Sequence, residues 1–464
     1  MERFDVVVLG AGPGGYTAAV RAAQLGKRVA VVEPSMWGGV CLTVGCVPAK
    51  TLLRHAEIAE LVTREKARFG LRGEMTADYG VAFARSREVS EGRTKGVHYL
   101  MRKHGIEQVR GTGRFRDPRT IDVTDADGQR RTLRFGDAII ASGARPMLLP
   151  GVERSAHVVT YEQLIMREEV PRSIAIIGGG AIGVEFAALL SAFGTEVTIV
   201  EALDRVLPNE DDEVSAALQK QLRGRGIRVL TGARVTSIDE ASAGASVAVQ
   251  HGDEQLELKP EVVLVAIGFA PNSAGLGLEA AGVRTTDRGA IEIDARMRTS
   301  AARIFAIGDV TAKLQLAHVA EAQGMVAAES IAGADTVPIL DYRMMPRAVF
   351  GRPQVASFGL TEREARAEGR EIAVSTFPFM ANARAHALGD ADGFVKIVAE
   401  PEHGMLLGAH LIGADVSELL PELTLAQQFE LSSAELARNV HTHPTLSEAI
   451  LEAAHGIHGA PINL

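Results

Sequence analysis

Residues able to do chemistry stand together at two places in this chain of 464 residues. The first is Gly38-Gly39-Val40-Cys41-Leu42-Thr43-Val44-Gly45-Cys46-Val47-Pro48-Ala49-Lys50, which holds both cysteines of the chain. In a reducing compartment two thiols five positions apart point to redox or metal chemistry more than to a structural staple. A regular helix would hold residues at that spacing too far apart for a disulfide, so a bond between the sulfurs requires an irregular chain at Thr43, Val44 and Gly45. Pro48 suits the first turn of a helix through Ala49–Val62, which places Cys46 near a helix N-terminus where the dipole favours thiolate. A buried structural pair and half of a zinc site are the other readings. Zinc needs four ligands and no further cysteine exists, so no metal is expected.

The second place is His441-Thr442-His443-Pro444-Thr445-Leu446-Ser447-Glu448. Pro444 keeps His443 out of helical geometry and can open a helix behind it, over 445–456. Glu448 can then fold back onto the His443 ring, fix its tautomer and raise its basicity, as a general base for a thiol requires. Alone, His443 also reads as a surface histidine at a helix cap.

The elements that would position these groups come from an internal repeat. Residues 6–33 and 174–201 align without a gap. Gly10, Gly12 and Gly15 match Gly178, Gly180 and Gly183, Gly26 matches Gly194, and Glu33 matches Glu201. Each copy runs strand, G-x-G-x-x-G turn, apolar helix, glycine stop, strand, acid. The first glycine makes the tight turn, the second admits a pyrophosphate to the backbone, and the third lets helix and strand pack closely. The acid can accept hydrogen bonds from ribose hydroxyls. Each copy continues into alternating apolar and polar residues (114–135 and 244–259), predicted as antiparallel ribbons, and closes on a buried strand ending at Gly143 or Gly268. Two dinucleotide-binding units are therefore expected. Ile304–Asp309 is a further strand ending at an acid. From about 341 the pattern changes to strands at 349–350 and 394–398 and helices at 416–430 and 445–456, predicted as a separate α+β domain.

Net charge −9 argues against nucleic acid or an anionic membrane as the main partner. No apolar run approaches the ~18 residues of a membrane span, and the N-terminus runs directly into a strand-like segment without a signal peptide. A cytoplasmic location is the expectation.

Together these motifs resemble those of the pyridine nucleotide–disulfide oxidoreductases, and within them the enzymes that oxidise dihydrolipoyl groups. The resemblance runs end to end through Gly10–Gly15, Cys41/Cys46, Gly178–Glu201, Ala306–Asp309, Leu316-Ala317-His318 and His443–Glu448. It implies an α/β fold of two Rossmann-like dinucleotide-binding domains plus a C-terminal α+β dimerisation domain. The implied boundaries are an FAD domain at 1–145, an NAD domain at 146–272, a central domain at 273–340 completing the FAD site, and an interface domain at 341–464. FAD contacts are implied for Gly10, Gly12, Gly14, Gly15, Glu33, Gly39, Gly113, Ser142, Gly143, Asp309 and Ala317. Lys50 is implied to lie beside the flavin and to pair with Glu185. Gly178, Gly180, Ile182, Gly183, Glu201, Ala266 and Gly268 are implied to carry NAD.

Catalysis is assigned by the same resemblance to Cys41 as interchange sulfur, Cys46 as flavin-proximal thiolate, and His443 with Glu448 as base. That His443 would act on the disulfide of the other subunit of a homodimer. The implied partners are lipoyl domains and the acyltransferase core of 2-oxo acid dehydrogenase complexes, or the glycine cleavage system. The rival within the class is an NAD(P)H-dependent reductase of a small disulfide of the glutathione or mycothione type. Glu201 argues against NADPH, while Arg205 four residues on argues the other way. Ala49, Ser142 and Phe269 depart from the usual Ser, Thr and Arg, which touches local cofactor contacts only.

Overall fold

The protein is described here from a computed structural model covering residues 2–464. Its first sheet is built around the strand Glu2–Leu9, whose Val6, Val7 and Val8 are fully buried. Burial on both faces is what a parallel strand covered by helices demands. Val29–Glu33 and Arg130–Ile140 flank it in parallel, with Glu107–Arg110 beyond the former. On the other side Thr120–Thr124 and Thr112–Asp117 continue antiparallel, so the ribbon expected over 114–135 grows out of the sheet itself. Helix Pro13–Gln24 opens with Pro13 at its first position and stops before Gly26 in the left-handed region.

The second unit repeats this geometry. Strand Ser173–Ile177 lies between Glu196–Val200 and Val262–Val265 in an all-parallel sheet that also holds Arg228–Leu230 and Val158–Val159. Equivalent bonds recur in each copy: Gly10 N–H donates to Val32 O and Gly178 N–H to Val200 O, both at 2.9 Å. Ala141 N–H donates to Leu9 O at 2.7 Å, and Ala266 N–H to Ile177 O at 2.8 Å. The second ribbon is a separate three-stranded antiparallel sheet, Ala233–Ala241, Gly244–His251 and Glu254–Leu258.

The segment after the second unit returns to the first. Strand Ile304–Ala306 pairs in parallel with Arg130–Ile140. Helix Ala317–Ala332 lies so close to helix Pro13–Gln24 that a Cβ on Gly14 would stand 2.7 Å from Ala320 O. Arg21–Glu329 at 2.8 Å and Tyr16–Glu321 at 3.2 Å fasten the pair at its polar edge.

The C-terminal region is a five-stranded antiparallel sheet in the order Arg347–Val349, Gln354–Gly359, Leu406–Gly413, Phe394–Ala399, Ala373–Pro378. Helices Val416–Gln428 and Glu448–Ile457 pack on a core around Phe358, Phe377, Phe379 and Leu411. The strands at 354–359, 373–378 and 406–413 are additions to the sequence reading. The last helix starts at Glu448 rather than Thr445. Thr445 N–H donates to the Glu448 carboxylate at 2.8 Å and Thr445 Oγ1 meets Ser447 Oγ at 2.8 Å, local bonds that compete with a helical turn.

Candidate active site

The cysteine segment is two helices with a break between them. Gly38, at φ +99°, turns the chain into the short helix Gly39–Thr43, which carries Cys41. Val44 and Gly45 are non-helical, and the helix Cys46–Thr63 begins at Cys46 itself, three residues earlier than the sequence reading placed it. The irregular stretch is thus Val44–Gly45, with Thr43 closing the first helix. The long helix Tyr79–Lys103 holds that helix end, Arg87 donating to Thr43 O at 2.5 Å and Ser90 to Leu42 O at 2.5 Å. A Cβ on Gly39 would come within 2.6 Å of Gly12 Cα, so the cysteine segment lies directly on the first glycine turn.

Both cysteines are partly buried. They perturb one another oppositely. The Cys41 thiol beside it pulls Cys46 below the ordinary thiol range against the cost of burial, helped by the Lys50 charge and the N–H at the helix start. Cys41 is pushed well up by its contact with Cys46 and by burial. Of the two, Cys46 is the thiol disposed to ionise.

Cys41 and Cys46 line a cavity of about 710 Å³. Around it stand Gly10, Gly12, Gly14, Gly15, Glu33, Gly39, Lys50, Gly113, Ser142, Gly143, Asp309 and Ala317, together with Ile182 and Glu185 from the second unit. One side is thus the whole first glycine turn and the other the N-terminal part of helix Ala181–Ala192. A Cβ on Gly10 or Gly15 would strike Ala141 O at 2.2 Å or Gly10 O at 2.1 Å, whereas one on Gly12 would meet nothing nearer than 3.9 Å. The outer glycines serve packing, and the middle one leaves room for a phosphate. Burial alone pushes the Asp309 carboxyl up to about 6, with no charged neighbour to offset it, so it is ready for a hydroxyl-rich ligand. The residues fit FAD.

Lys50, four residues beyond Cys46, donates to both oxygens of Glu185 at 2.9 and 2.8 Å. Phe350 completes this group: its N–H donates to Glu185 Oε1 at 2.9 Å and its ring lies 4.8 Å from Lys50 Nζ. The sequence carries no signal for Phe350, because it belongs to the C-terminal sheet region and meets helix Ala181–Ala192 only in the folded chain.

Gly178, Gly180, Gly183, Glu201, Ala266 and Gly268 are not among the residues lining this cavity. They form the equivalent turn of the second unit, where a Cβ on Gly178 or Gly183 would come within 2.4 and 2.0 Å of backbone oxygens and one on Gly180 would meet nothing. The two acids do more than the sequence suggested. Glu33 accepts from Ala11, Ser35 and Met36 N–H at 3.1, 3.1 and 2.8 Å, and Glu201 from Gly179 and Leu203 N–H at 2.6 and 2.8 Å. Each carboxylate ties its glycine turn to the loop that follows the second strand.

His443 Nδ1 faces Glu448 Oε1 at 2.8 Å. Burial works against the Glu448 anion, yet the Thr445 N–H and the His443 and His441 rings outweigh it and hold this carboxyl below its usual range. Since Nδ1 must donate to a carboxylate, Nε2 is left to take a proton. The neighbouring His441 is spent on Glu422 Oε1 and Asn439 O, both at 2.9 Å. The His443 side chain is 72% exposed and does not line the cavity of its own chain.

Comparison with known proteins decides the family. Residues 4–324 match the pyridine nucleotide-disulphide oxidoreductase family and residues 345–454 match its dimerisation domain. The chain belongs to the pyridine nucleotide-disulphide oxidoreductases. It is 56% identical over 463 residues to a dihydrolipoyl dehydrogenase of Mycobacterium tuberculosis, covering 100% of both chains. It is 53% identical over 466 residues to one of Corynebacterium glutamicum, covering 100% of this chain and 99% of that one. The solved structure of LpdA from Mycobacterium tuberculosis superposes with a TM-score of 0.91 at 29% identity, covering 98% of this chain and 99% of that chain.

As a member of the pyridine nucleotide-disulphide oxidoreductases, the protein is an oxidoreductase that uses FAD and NAD(H). The dimerisation domain makes a homodimer its working unit. That domain exposes large apolar side chains, with Val440 at 93%, Phe429 at 65% and Leu425 at 57%, and burying each against a second chain is worth roughly 1.5–3 kcal/mol. Among the described residues no helix is long and apolar enough to cross a membrane.

Proposed function

We propose that the protein oxidises protein-bound dihydrolipoyl groups to lipoyl disulfides and passes the electron pair through Cys41–Cys46 and FAD to NAD⁺, as the dehydrogenase component of 2-oxo acid dehydrogenase complexes or of glycine cleavage. The observation that carries this reading is the charge-polarised thiol pair on the wall of the first glycine unit's cavity, in a chain that dihydrolipoyl dehydrogenases match over its full length.

His443 Nε2, oriented through Nδ1 by Glu448, takes the proton of one substrate thiol. The substrate thiolate attacks Cys41 of the oxidised pair, so the Cys41–Cys46 bond breaks as a mixed disulfide forms. Cys46 departs as a thiolate beside Lys50. The second substrate thiol then displaces Cys41, closing the lipoyl disulfide and leaving Cys41 as a thiol. The substrate has lost two electrons and two protons: one proton rests on His443 and one on Cys41, while Cys46 holds the thiolate. Bound FAD supplies the two-electron relay from that pair to NAD⁺. His443 is exposed and does not line the cavity of its own chain, which supports an active site built from His443 and Glu448 of one chain and Cys41 and Cys46 of the other.

The same reading assigns 1–145 to FAD, 146–272 to NAD, 273–340 to completion of the FAD site and 341–464 to the dimer interface. Its macromolecular partners are lipoyl domains and an acyltransferase core, in the cytoplasm. Arg205 is held by Asp212 at 2.8 Å, so Glu201 faces the dinucleotide site without a free cation beside it, which favours NAD over NADP.

Steady-state rates with lipoamide and NADH against glutathione or mycothione disulfide and NADPH test the substrate class. Lipoamide with NADH should exceed the other pairs by at least ~10³-fold in kcat/KM, and a comparable rate on a small disulfide with NADPH would replace this reading by a small-disulfide reductase. Anaerobic NADH titration should raise a long-wavelength thiolate–flavin band before the flavin bleaches. Bleaching without that band would exclude the thiol pair from the electron path.

A further inference from the structure

The loop after Glu201 is a strap. Val206 and Leu207 are buried in it, and Leu207 adopts φ +46°. Leu207 N–H donates to Gly179 O at 2.8 Å while Gly179 N–H donates to Glu201 at 2.6 Å, so the loop uses both polar groups of the residue between the first two glycines. The first unit contains the counterpart: Gly38 N–H donates to Ala11 O at 2.9 Å and Ala11 N–H to Glu33 at 3.1 Å. There the loop runs on into the cysteine helix. In the second unit it runs to Glu210 and Asp211, and Asp211 caps helix Asp212–Gly224.

What anchors that far end belongs to the dimerisation domain. Lys396, on strand Phe394–Ala399, is a fully covered lysine with a side chain 2% exposed. Its ammonium meets Asp211 at 3.1 Å, Glu213 at 3.4 Å and Glu362 at 2.8 Å. Beside it Arg347 faces the buried Glu210 at 3.5 Å. The Asp211 carboxylate is itself only 2% exposed, so removing Lys396 takes away the cation that compensates a charge in the interior. The mechanism above makes no use of this cluster.

We infer that Lys396 is a positioning residue for the NAD site, holding through Asp211 the loop that shapes the second glycine turn, so that nicotinamide-dinucleotide binding depends on the dimerisation domain. This rests on the assignment of NAD to residues 146–272. The electron path enters through the cysteines and leaves through the dinucleotide, so the two kcat/KM values report different halves of the molecule.

Lys396→Met holoenzyme should keep kcat/KM for dihydrolipoamide within twofold of wild type and lose at least fivefold in kcat/KM for NAD⁺. The calorimetric Kd for ADP-ribose should rise by a similar factor, and Lys396→Arg should recover most of the loss. Equal falls in both kcat/KM values, or an unchanged ADP-ribose Kd, would overturn the inference. If the methionine variant does not retain FAD, Asp211→Asn carries the same test, because asparagine still caps the helix. Wild type that turns over lipoamide but binds no ADP-ribose would instead overturn the assignment of the NAD unit.

Discussion

Lys50 Nζ stands 2.8 Å from Glu185 Oε2, joining residues 135 positions apart across the boundary between the two dinucleotide-binding units. The pair fixes where the lysine charge sits relative to Cys46, one helical turn before it. A Lys50→Met substitution removes the cation that helps hold Cys46 low, so the thiolate forms at higher pH. The long-wavelength band of the two-electron-reduced enzyme should then appear only at higher pH than in wild type, and lipoamide turnover should fall by roughly 10–100-fold at neutral pH. A pH-absorbance titration checks this, and an unmoved midpoint would assign Lys50 a packing role.

The exposed His443 and the enclosed cysteines predict complementation between chains. Cys41→Ser and His443→Gln homodimers should each lose most lipoamide activity, while dye reduction by NADH persists in both. Dissociated, mixed and reassembled in equal amounts, half the dimers become hybrids with one intact site each. About a quarter of wild-type activity should return, by statistical assortment of a two-fold dimer. No recovery, with hybrids verified by mass, would place both functions in a single chain.

Within the second unit, two nearby glycines have opposite expected fates. Gly183→Ala puts a Cβ 2.0 Å from Gly178 O and should destabilise the second unit by about 1–3 kcal/mol, read as a lower Tm. Gly180→Ala meets nothing within 4 Å and should leave Tm unchanged. It should nevertheless lower kcat/KM for NAD⁺ at least ~10-fold, because the methyl occupies the approach of the pyrophosphate. Equal NAD⁺ kinetics in wild type and Gly180→Ala would mean that the dinucleotide lies elsewhere.

Much of this arrangement was legible in the sequence because the repeated elements are local. The glycine turns, the acids Glu33 and Glu201 and the thiol pair each sit within about 30 residues of the element that orients them, where spacing and periodicity carry the geometry. Contacts assembled from distant segments were not legible. Phe350 reaches Glu185 across 165 positions through a backbone N–H, for which residue type holds no signal. Lys396 in a strand pattern reads as a solvent-facing residue, and only the packing of the dimerisation sheet on Asp211 buries it. The three additional strands of that sheet lie in short apolar runs interrupted by glycine and charge, where pairing partners rather than propensity decide the conformation.

Asp309 offers a prediction whose sign reverses with cofactor. Its carboxyl is pushed up to about 6 from 3.8 by burial, so the folded chain without FAD holds this proton more tightly than the unfolded chain does. The stability contributed by that proton is fully present below about pH 3.8 and is lost as pH rises through about 6. Asp309→Asn cannot ionise, so the FAD-free variant should melt above FAD-free wild type at pH 8, by ~2–4 °C, with the gap closing toward pH 4. With FAD the order should invert, because a carboxylate accepting cofactor hydroxyls is a stronger partner than an amide. FAD affinity of the variant should fall about tenfold, as expected for one hydrogen bond to a charged group. Scanning calorimetry of both forms, with fluorescence titration of FAD, measures the two effects separately. A variant that binds FAD as tightly as wild type would remove Asp309 from the cofactor site, and identical pH profiles of the FAD-free forms would show its carboxyl to be solvated.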